Sequence, residues 1–248
     1  MTRSVGDHLL RVAGAHRTQA LNAQLAGLLA LVAGILNSVG FVAVSVYTSH
    51  MTGITASLAD HLVLGGAGAV GTAGCALASF VLGSMACAWV FNWGRRRDLR
   101  GRYALVLVVE AVLILCFGLL ADVSRWSHDE LLFVGVLCFT MGLQNAVITK
   151  ISGAQIRTTH VTGMITDIGI ELGKLTYVPR TPGLAPVQAD RAKLGLLVTL
   201  VSLFFVGGVL GAAGYLRFGF VTLVPAALVL LVASAAPVLA DLRHARRR

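Results

Sequence analysis

Charged side chains are scarce in this chain, and their scarcity defines the class of protein. Only 12% of its 248 residues are Asp, Glu, Lys or Arg, against about 25% in an average soluble domain. The net charge of +9 could suit nucleic acid, but the basic residues lie in short clusters between long apolar runs. That arrangement is typical of a bacterial inner (plasma) membrane protein. We therefore expect a lipid bilayer as partner, and no nucleic acid.

Motifs for metals, cofactors and covalent catalysis are also lacking. All four cysteines lie inside apolar runs and none forms a C-x-x-C pair, so we expect neither a disulfide nor a metal site. The sequence contains no P-loop, dinucleotide fingerprint or nucleophile elbow. No apolar core of signal-peptide length precedes Leu21, and the start is interpreted as a short basic segment. We expect no cofactor and no enzymatic activity.

Long apolar runs are abundant instead. About 20 residues are needed to cross a bilayer. Two shorter segments, 52–64 and 162–177, are too short or too polar to be assigned as spans, and we interpret them as half-length or re-entrant helices. The predicted spans are 23–47, 68–93, 103–121, 131–149, 194–215 and 218–240.

The basic residues orient these spans. With six crossings and a cytoplasmic amino terminus, all but two of the 20 Lys and Arg residues lie inside, the exceptions being Arg125 and Arg217. If both short segments also crossed, the arginine cluster at 95–102 would face outward, against the positive-inside rule. The charge pattern thus predicts six spans and two cytoplasmic termini.

The chain also contains an internal repeat. SHMTGITASLADHL (49–62) aligns with THVTGMITDIGIEL (159–172), and FVLGSMAC (80–87) resembles FFVGGVLG (204–211). Each unit contains an odd number of crossings, so the second copy must be inverted. The predicted fold is an all-α integral membrane protein, with six transmembrane helices plus two half-length or re-entrant helices in a 3+3 inverted repeat. Its parts are a cytoplasmic basic segment (1–20), a first repeat (21–122), a second repeat (128–241) and a basic tail (242–248).

The repeated Thr/Ser-His-x-Thr-Gly phrase is the candidate substrate site. Gly53 and Gly163 allow a tight turn or a close approach, and Thr52, Thr162 and their Ser or Thr neighbours can cap a helix start. Two such helix starts facing each other would attract an anion or a carbonyl. The alternative is a simple helix stop and restart, with His50 and His160 as structural hydrogen-bonding residues.

Polar residues elsewhere in the apolar runs extend the candidate list. Glu110 lies in mid-span and is an ion-coupling candidate, or the partner in an interhelical hydrogen bond. Asp60 and Asp167, on the two short segments, are further ion-coupling candidates. Asn37 and Asn145 precede the two phrases at matching places, and either link helices or contact substrate.

The phrases carry a family resemblance. GLQNAVITKISGAQIRTTHVTGMITDIG (142–169) and GILNSVGFVAV with SHMTG (34–53) resemble the YoaK family of bacterial multi-pass membrane proteins, a domain of unknown function. The resemblance implies a membrane protein of about six spans and no particular substrate. Members often carry Asp at the place of Asn37 and Asn at that of Ile54. If that Asp couples transport to an ion, this chain has lost the coupling or moved it to Glu110 or Asp60.

Inverted repeats with interrupted helices are typical of secondary transporters. The leading interpretation is a transporter or exporter of a small polar or anionic metabolite, bound where the repeats meet. The alternative is a non-transporting scaffold, channel-like or regulatory protein, because symmetry alone does not prove activity. An integral membrane enzyme comes third. Substrate, direction, driving ion and self-association as a homo-oligomer are left open.

Overall fold

The chain is described here by a computed structural model that covers residues 19–99, 101–121, 130–152, 158–177 and 187–245. These residues form α-helices joined by short turns, and contain no strand. The helices are α1 Gln19–Val44, α2 Met51–Leu64, α3 Ala67–Arg96, α4 Arg102–Leu120, α5 Glu130–Ser152, α6 Val161–Thr176, α7 Arg191–Phe218 and α8 Leu223–Ala245, with a 3-10 turn at Gly219–Thr222.

The all-α class is confirmed, and the helix bounds follow the predicted apolar runs closely. The stretches long and apolar enough to cross a membrane are Leu21–Val44, Ala67–Arg96, Arg102–Leu120, Glu130–Ser152 and Arg191–Asp241. The short segments are helices α2 and α6, of 14 and 16 residues. The number of crossings and the re-entrant course of α2 and α6 stay predictions. Most of the predicted amino-terminal segment, the loop 122–129 and most of the loop 179–191 lie outside the described residues.

The last apolar stretch contains two helices because the chain folds back at Gly219. This glycine has φ 63° and ψ −149°, a conformation that side-chain-bearing residues rarely adopt. A Cβ built on Gly214 would lie only 2.4 Å from Thr222 Cγ2, whereas eight residues of continuous helix would rise about 12 Å. Helices α7 and α8 are therefore separate.

Glycines bring two helix pairs into backbone contact. A Cβ on Gly207 in α7 would lie 2.1 Å from the carbonyl oxygen of Leu31 in α1. A Cβ on Gly83 in α3 would lie 1.9 Å from the carbonyl oxygen of Phe139 in α5. Small residues at such places let membrane helices pack closely. Both glycines lie in the segments 80–87 and 204–211 that resemble each other in the repeat.

The contacts also give the helix directions. Gly27 faces Leu203, and Gly211 faces Ile35, so α1 and α7 run parallel. In α3 and α5, Cys75 meets Leu131 and Gly83 meets Phe139, so this pair is parallel too.

In two other helix pairs, the two helices run antiparallel to each other. Gln144 Nε2 in α5 donates to the carbonyl oxygen of Leu29 in α1 at 2.6 Å, while Gly40 faces Leu137. Helices α1 and α5 are therefore antiparallel. The same holds for α4 and α8, since Gly118 faces Leu223 and the amide of Gly101 donates to Asp241.

Helices α1 and α5 form the centre of the bundle. Of their apolar spans, 56% and 61% respectively are buried, against 17% for α3. Large apolar side chains such as Val63, Phe205 and Leu216 are exposed on the outside. An apolar exterior around a buried centre is what a bilayer solvent requires, so the chain is described as a helical membrane protein.

Candidate functional site

Each half-helix is tied to a central helix by an asparagine. Asn37 Oδ1 in α1 accepts hydrogen bonds from the amide (3.1 Å) and the hydroxyl (2.9 Å) of Ser49. In the second half, Asn145 Oδ1 in α5 accepts from the Thr159 hydroxyl, and its Nδ2 donates to the Met141 carbonyl at 2.8 Å. The two asparagines therefore fix the position of the chain just before α2 and α6 begin.

The histidines, and not the threonines, occupy the cap positions. His50 precedes α2 and His160 precedes α6, and neither side chain makes a capping hydrogen bond. Thr52 and Thr162 are the second residues of their helices, so the prediction that they cap the helix starts was wrong. The cap residue is the one at which the backbone becomes helical. The capping propensity of a side chain does not determine where that happens.

The consequence is a pair of helix starts with free backbone donors. The first internal hydrogen bond of α2 joins the Ile54 amide to the His50 carbonyl, and that of α6 joins the Met164 amide to the His160 carbonyl, both at 3.0 Å. The amides before Ile54 and Met164 have no intrahelical acceptor. Each helix start therefore presents N–H groups and positive partial charge.

The glycines of the phrase make room for the imidazoles. A Cβ on Gly53 would lie 2.1 Å from His50 Cδ2, and one on Gly163 would lie 2.2 Å from His160 Nδ1. The expectation of a close approach is correct, but a tight turn is not present. Both glycines lie inside helices, and in the described residues the glycines with positive φ are Gly65 and Gly219.

The two phrases line one cavity of about 710 Å³. Its walls combine matching residues from both halves with Tyr47, Met51, Thr149 and Val161. The matching pairs are Asn37 and Asn145, Ser49 and Thr159, His50 and His160, Thr52 and Thr162, and Phe80 and Phe204. The structure thus brings together six of the eight candidate substrate residues along its wall, while Gly53 and Gly163 lie directly behind the two imidazoles.

The chemistry of this cavity favours a ligand with acceptor atoms. Among its described lining residues there are two imidazoles, two amides and several hydroxyls, but no carboxylate. Two uncapped helix starts add backbone donors. These donors can bind an anion or a carbonyl group, although the site contains no residue with a permanent positive charge among its described lining residues.

A second pocket adjoins the central cavity. It measures about 420 Å³ and lies between α2 and the first turns of α3, lined among others by Ser57, Thr72 and Ala76. Tyr47 and His50 line both spaces. These two side chains therefore separate the central cavity from the smaller pocket. Tyr47 is held by stacking on Phe41, with ring centroids 4.2 Å apart.

Two buried hydroxyls lie beside the phrases. Thr48 and Thr158 precede the phrase residues at matching positions, and both are fully buried. Neither Oγ1 has a hydrogen-bond partner among the described residues. The burial of these two threonines could not be predicted, because the sequence of a loop does not distinguish a buried threonine from an exposed one.

The ion-coupling candidates lie apart from the cavity wall. Glu110 on α4 is fully buried, and neither of its carboxylate oxygens has a hydrogen-bond partner in the described residues. Asp60 on α2 is exposed. Asp167 on α6 forms an ion pair with Lys193 at 3.1 Å. None of the three lines the central cavity.

A polar cluster joins α6 to the start of α7. Glu171 accepts from Lys174 Nζ and from the amide of Asp190, both at 2.8 Å. The hydrogen bond from Lys174 and that from the Asp190 amide hold the pKa of Glu171 below its ordinary value. Asp190 in turn caps α7 by accepting from the Lys193 amide at 2.9 Å. The polar face of α6 is therefore internally paired.

Sequence reasoning missed the two phenylalanines of the cavity. Phe80 and Phe204 are the first residues of the similar segments FVLGSMAC and FFVGGVLG, and neither phenylalanine was among the candidate site residues. The signal was present in the alignment. Phenylalanine in an apolar run, however, does not distinguish a cavity wall from lipid contact.

These features define a class: a helical membrane protein in which two half-length helices begin at one shared polar cavity. The profile of a family described as a protein of unknown function, DUF1275, matches residues 25–236. The chain therefore belongs to that family. The name YoaK given to the resemblance is not part of this match and stays a prediction. No curated protein and no solved structure matches the chain.

Proposed function

We propose that the protein is a secondary transporter or exporter of a small polar or anionic solute, which binds in the central cavity. The observation that carries the proposal is the wall of that cavity, where each half contributes the same kinds of side chain. Ligand pockets commonly measure about 300–1,000 Å³, so a space of about 710 Å³ suits a metabolite-sized solute.

An inverted repeat is part of the proposal. In an inverted repeat, α1 corresponds to α5, α3 to α7 and α4 to α8. The contact between α1 and α7 then corresponds to the contact between α5 and α3, and the pairs α1–α5 and α4–α8 each correspond to themselves. Helices α1 and α5 run in opposite directions, as the contacts of Leu29 with Gln144 and of Gly40 with Leu137 require. The burial of the first ten residues is the same in α2 and α6. These relations support a 3+3 arrangement with the site between the repeats.

The helix directions also support the proposed topology. The start of α1, the end of α3, the end of α5 and the start of α7 belong to one side of the bundle, because α1 parallels α7 and opposes α5 and α3. That side carries Arg95, Arg96, Lys150, Arg191 and Lys193. Basic residues of this density favour the cytoplasmic side of an inner membrane, and the termini are proposed to lie there.

Transport is favoured over a scaffold because a polar cavity lies between the two halves. A scaffold needs only an apolar, packed interface, and glycine contacts such as Gly207 with Leu31 provide one. A wide space lined by amides, imidazoles and uncapped helix starts serves no purpose in such an interface, since unpaired polar groups destabilise it. The proposal includes no chemical reaction and no cofactor.

Binding and flux test the proposal together. The purified protein is first screened by thermal shift against small carboxylates, phosphate esters and neutral polar metabolites, and compounds that stabilise it are then tested for uptake into proteoliposomes. The double variant Asn37→Ala, Asn145→Ala removes both amides from the cavity, whereas Asn92→Ala, on the exposed surface of α3, is the matched control. We expect loss of stabilisation and of flux in the double variant alone. A compound that is carried equally well by the double variant would place the site elsewhere.

A further inference from the structure

Cations and aromatic rings meet near the turn between α3 and α4. Two cations meet one aromatic ring there: Arg102 Cζ lies 5.2 Å and Lys150 Nζ 5.0 Å from the centre of Phe91. Arg102 also lies 5.7 Å from the ring of Tyr103. Arg97 lies 5.6 Å from the ring of Trp93. We call Phe91, Trp93, Arg97, Arg102 and Lys150 the basic–aromatic cluster.

The cluster carries three positive charges, on Arg97, Arg102 and Lys150. Arg97, Arg102 and Lys150 form no salt bridge within the described part of the chain. The Nε atom of Arg102 is buried and has no hydrogen-bond partner there. Asp98 on the same turn is exposed and forms no salt bridge within the described residues, and Asp241 accepts a hydrogen bond from the Gly101 amide at 2.7 Å.

Two cations that contact one ring repel each other, and an anion bound near both would reduce that repulsion. A phosphate group supplies the missing charge and the acceptor atoms that a guanidinium binds best.

The surroundings of the cluster favour a lipid as the source of that phosphate. Trp89 and Trp93 are 63% and 51% exposed. Exposed tryptophans at the end of an apolar helix are typical of the zone between headgroups and acyl chains. A phosphate bound by Arg102 and Lys150 would therefore lie at headgroup depth, with the tryptophans beside the glycerol and the first acyl carbons.

We propose that the basic–aromatic cluster binds the phosphate of an anionic phospholipid. This inference does not depend on transport by the central cavity. Each Lys or Arg near a membrane surface contributes to anionic-lipid binding by about five-fold in affinity. Removal of Lys150 alone should thus weaken binding about five-fold, and removal of Lys150 and Arg102 together by about 25-fold.

Native mass spectrometry of the detergent-purified full chain tests the site. Dioleoylphosphatidylglycerol and dioleoylphosphatidylcholine are titrated against the wild type, Lys150→Gln, and Lys150→Gln with Arg102→Gln. Arg217→Gln is the control, because Arg217 also lies near a ring, 5.8 Å from the centre of Phe218, but the described residues place no second cation at that ring. We expect preferential binding of phosphatidylglycerol by the wild type and the control, and stepwise loss in the two cluster variants.

Three results would overturn the proposal. Equal affinity for the two lipids in the wild type would show that charge is not recognised. Unchanged phosphatidylglycerol binding in Lys150→Gln would place the lipid elsewhere, and this exposed side chain can be changed even if the Arg102 variant fails to fold. Displacement of the lipid by an equal concentration of inorganic phosphate would assign the site to free phosphate.

Discussion

Gly53 and Gly83 both lie in close contacts, but the atoms they meet differ, and so do the expected effects of adding a methyl group. At Gly83 the new Cβ would meet the backbone of Phe139 at 1.9 Å, which cannot move without separating α3 from α5. At Gly53 it would meet the imidazole of His50 at 2.1 Å, which can rotate away. The first contact supports the fold, whereas the second positions a side chain at the cavity.

We therefore expect Gly83→Ala to lower the free energy of unfolding by about 1–3 kcal/mol, as overpacking of a dense interface does. Gly53→Ala should change stability much less, because alanine is otherwise favoured in a helix, but should reduce solute binding by displacing His50. Gly71→Ala, with open space around its Cβ, is the control for both. Thermal unfolding in detergent and ligand-induced thermal shift measure the two effects. Equal destabilisation by both variants would contradict this distinction.

Glu110 is the residue whose role is least determined by its contacts. Its side chain is fully buried and neither carboxylate oxygen is paired in the described part of the chain. Glu110→Gln retains the shape but cannot release a proton. If Glu110 carries the coupling ion, the variant should lose pH-driven flux in proteoliposomes and unfold at the wild-type temperature. Normal flux with a lower unfolding temperature would make Glu110 a structural residue.

At the scale of elements, α6 is attached to α7 by charge. Glu171 holds Lys174 and the amide of Asp190, and these contacts lower its pKa. A carboxyl with a lowered folded-state pKa stabilises the fold above its unfolded pKa, and loses that contribution as pH falls through the folded value. Glu171→Gln should therefore lower the unfolding temperature at pH 7. The difference from wild type should shrink as the pH falls below the ordinary value of 4.5.

Unfolding temperatures measured between pH 7 and pH 3 check this prediction. Asp60→Asn is the control, since Asp60 on α2 is exposed and has no ion pair within the described residues. A Glu171 variant that differs from wild type by the same amount at every pH would mean that shape, and not charge, links α6 to α7.

The helices themselves could be predicted from the sequence because lipid exposure demands long apolar runs. The two half-helices were found through the repeated phrase. Their caps were not, because Thr52 and Thr162 lie two residues after the cap positions. The hydrogen bond between Asn37 and Ser49 that shapes the turn joins residues on different elements. For tertiary contacts of this kind, the sequence shows only that similar polar residues occur at matching positions. It does not show which residue each of them contacts.

At the scale of the whole molecule, the arrangement of helix directions predicts which loops share a side. Arg97 at the end of α3 should face the cytoplasm, and Ser127, in the loop outside the described residues, should face the opposite side. Single cysteines at these positions in a cysteine-free chain can be labelled in intact cells with a membrane-impermeant thiol reagent. We expect Ser127→Cys to react and Arg97→Cys to react only after the cells are opened. Labelling of Arg97→Cys in intact cells would contradict six crossings.

If both phrases open into one water-accessible cavity, cysteines placed in the two phrases should be labelled by a water-soluble thiol reagent from the same side of the membrane. Thr52→Cys and Thr162→Cys are compared in right-side-out and inside-out vesicles, with Arg97→Cys and Ser127→Cys as markers of the two sides. Since Thr52 and Thr162 line the same space, we expect both cysteines to react from the same side, whichever side the cavity opens to. Reaction of Thr52→Cys only from the outside and of Thr162→Cys only from the cytoplasm would mean two separate helix breaks, and would contradict a shared site.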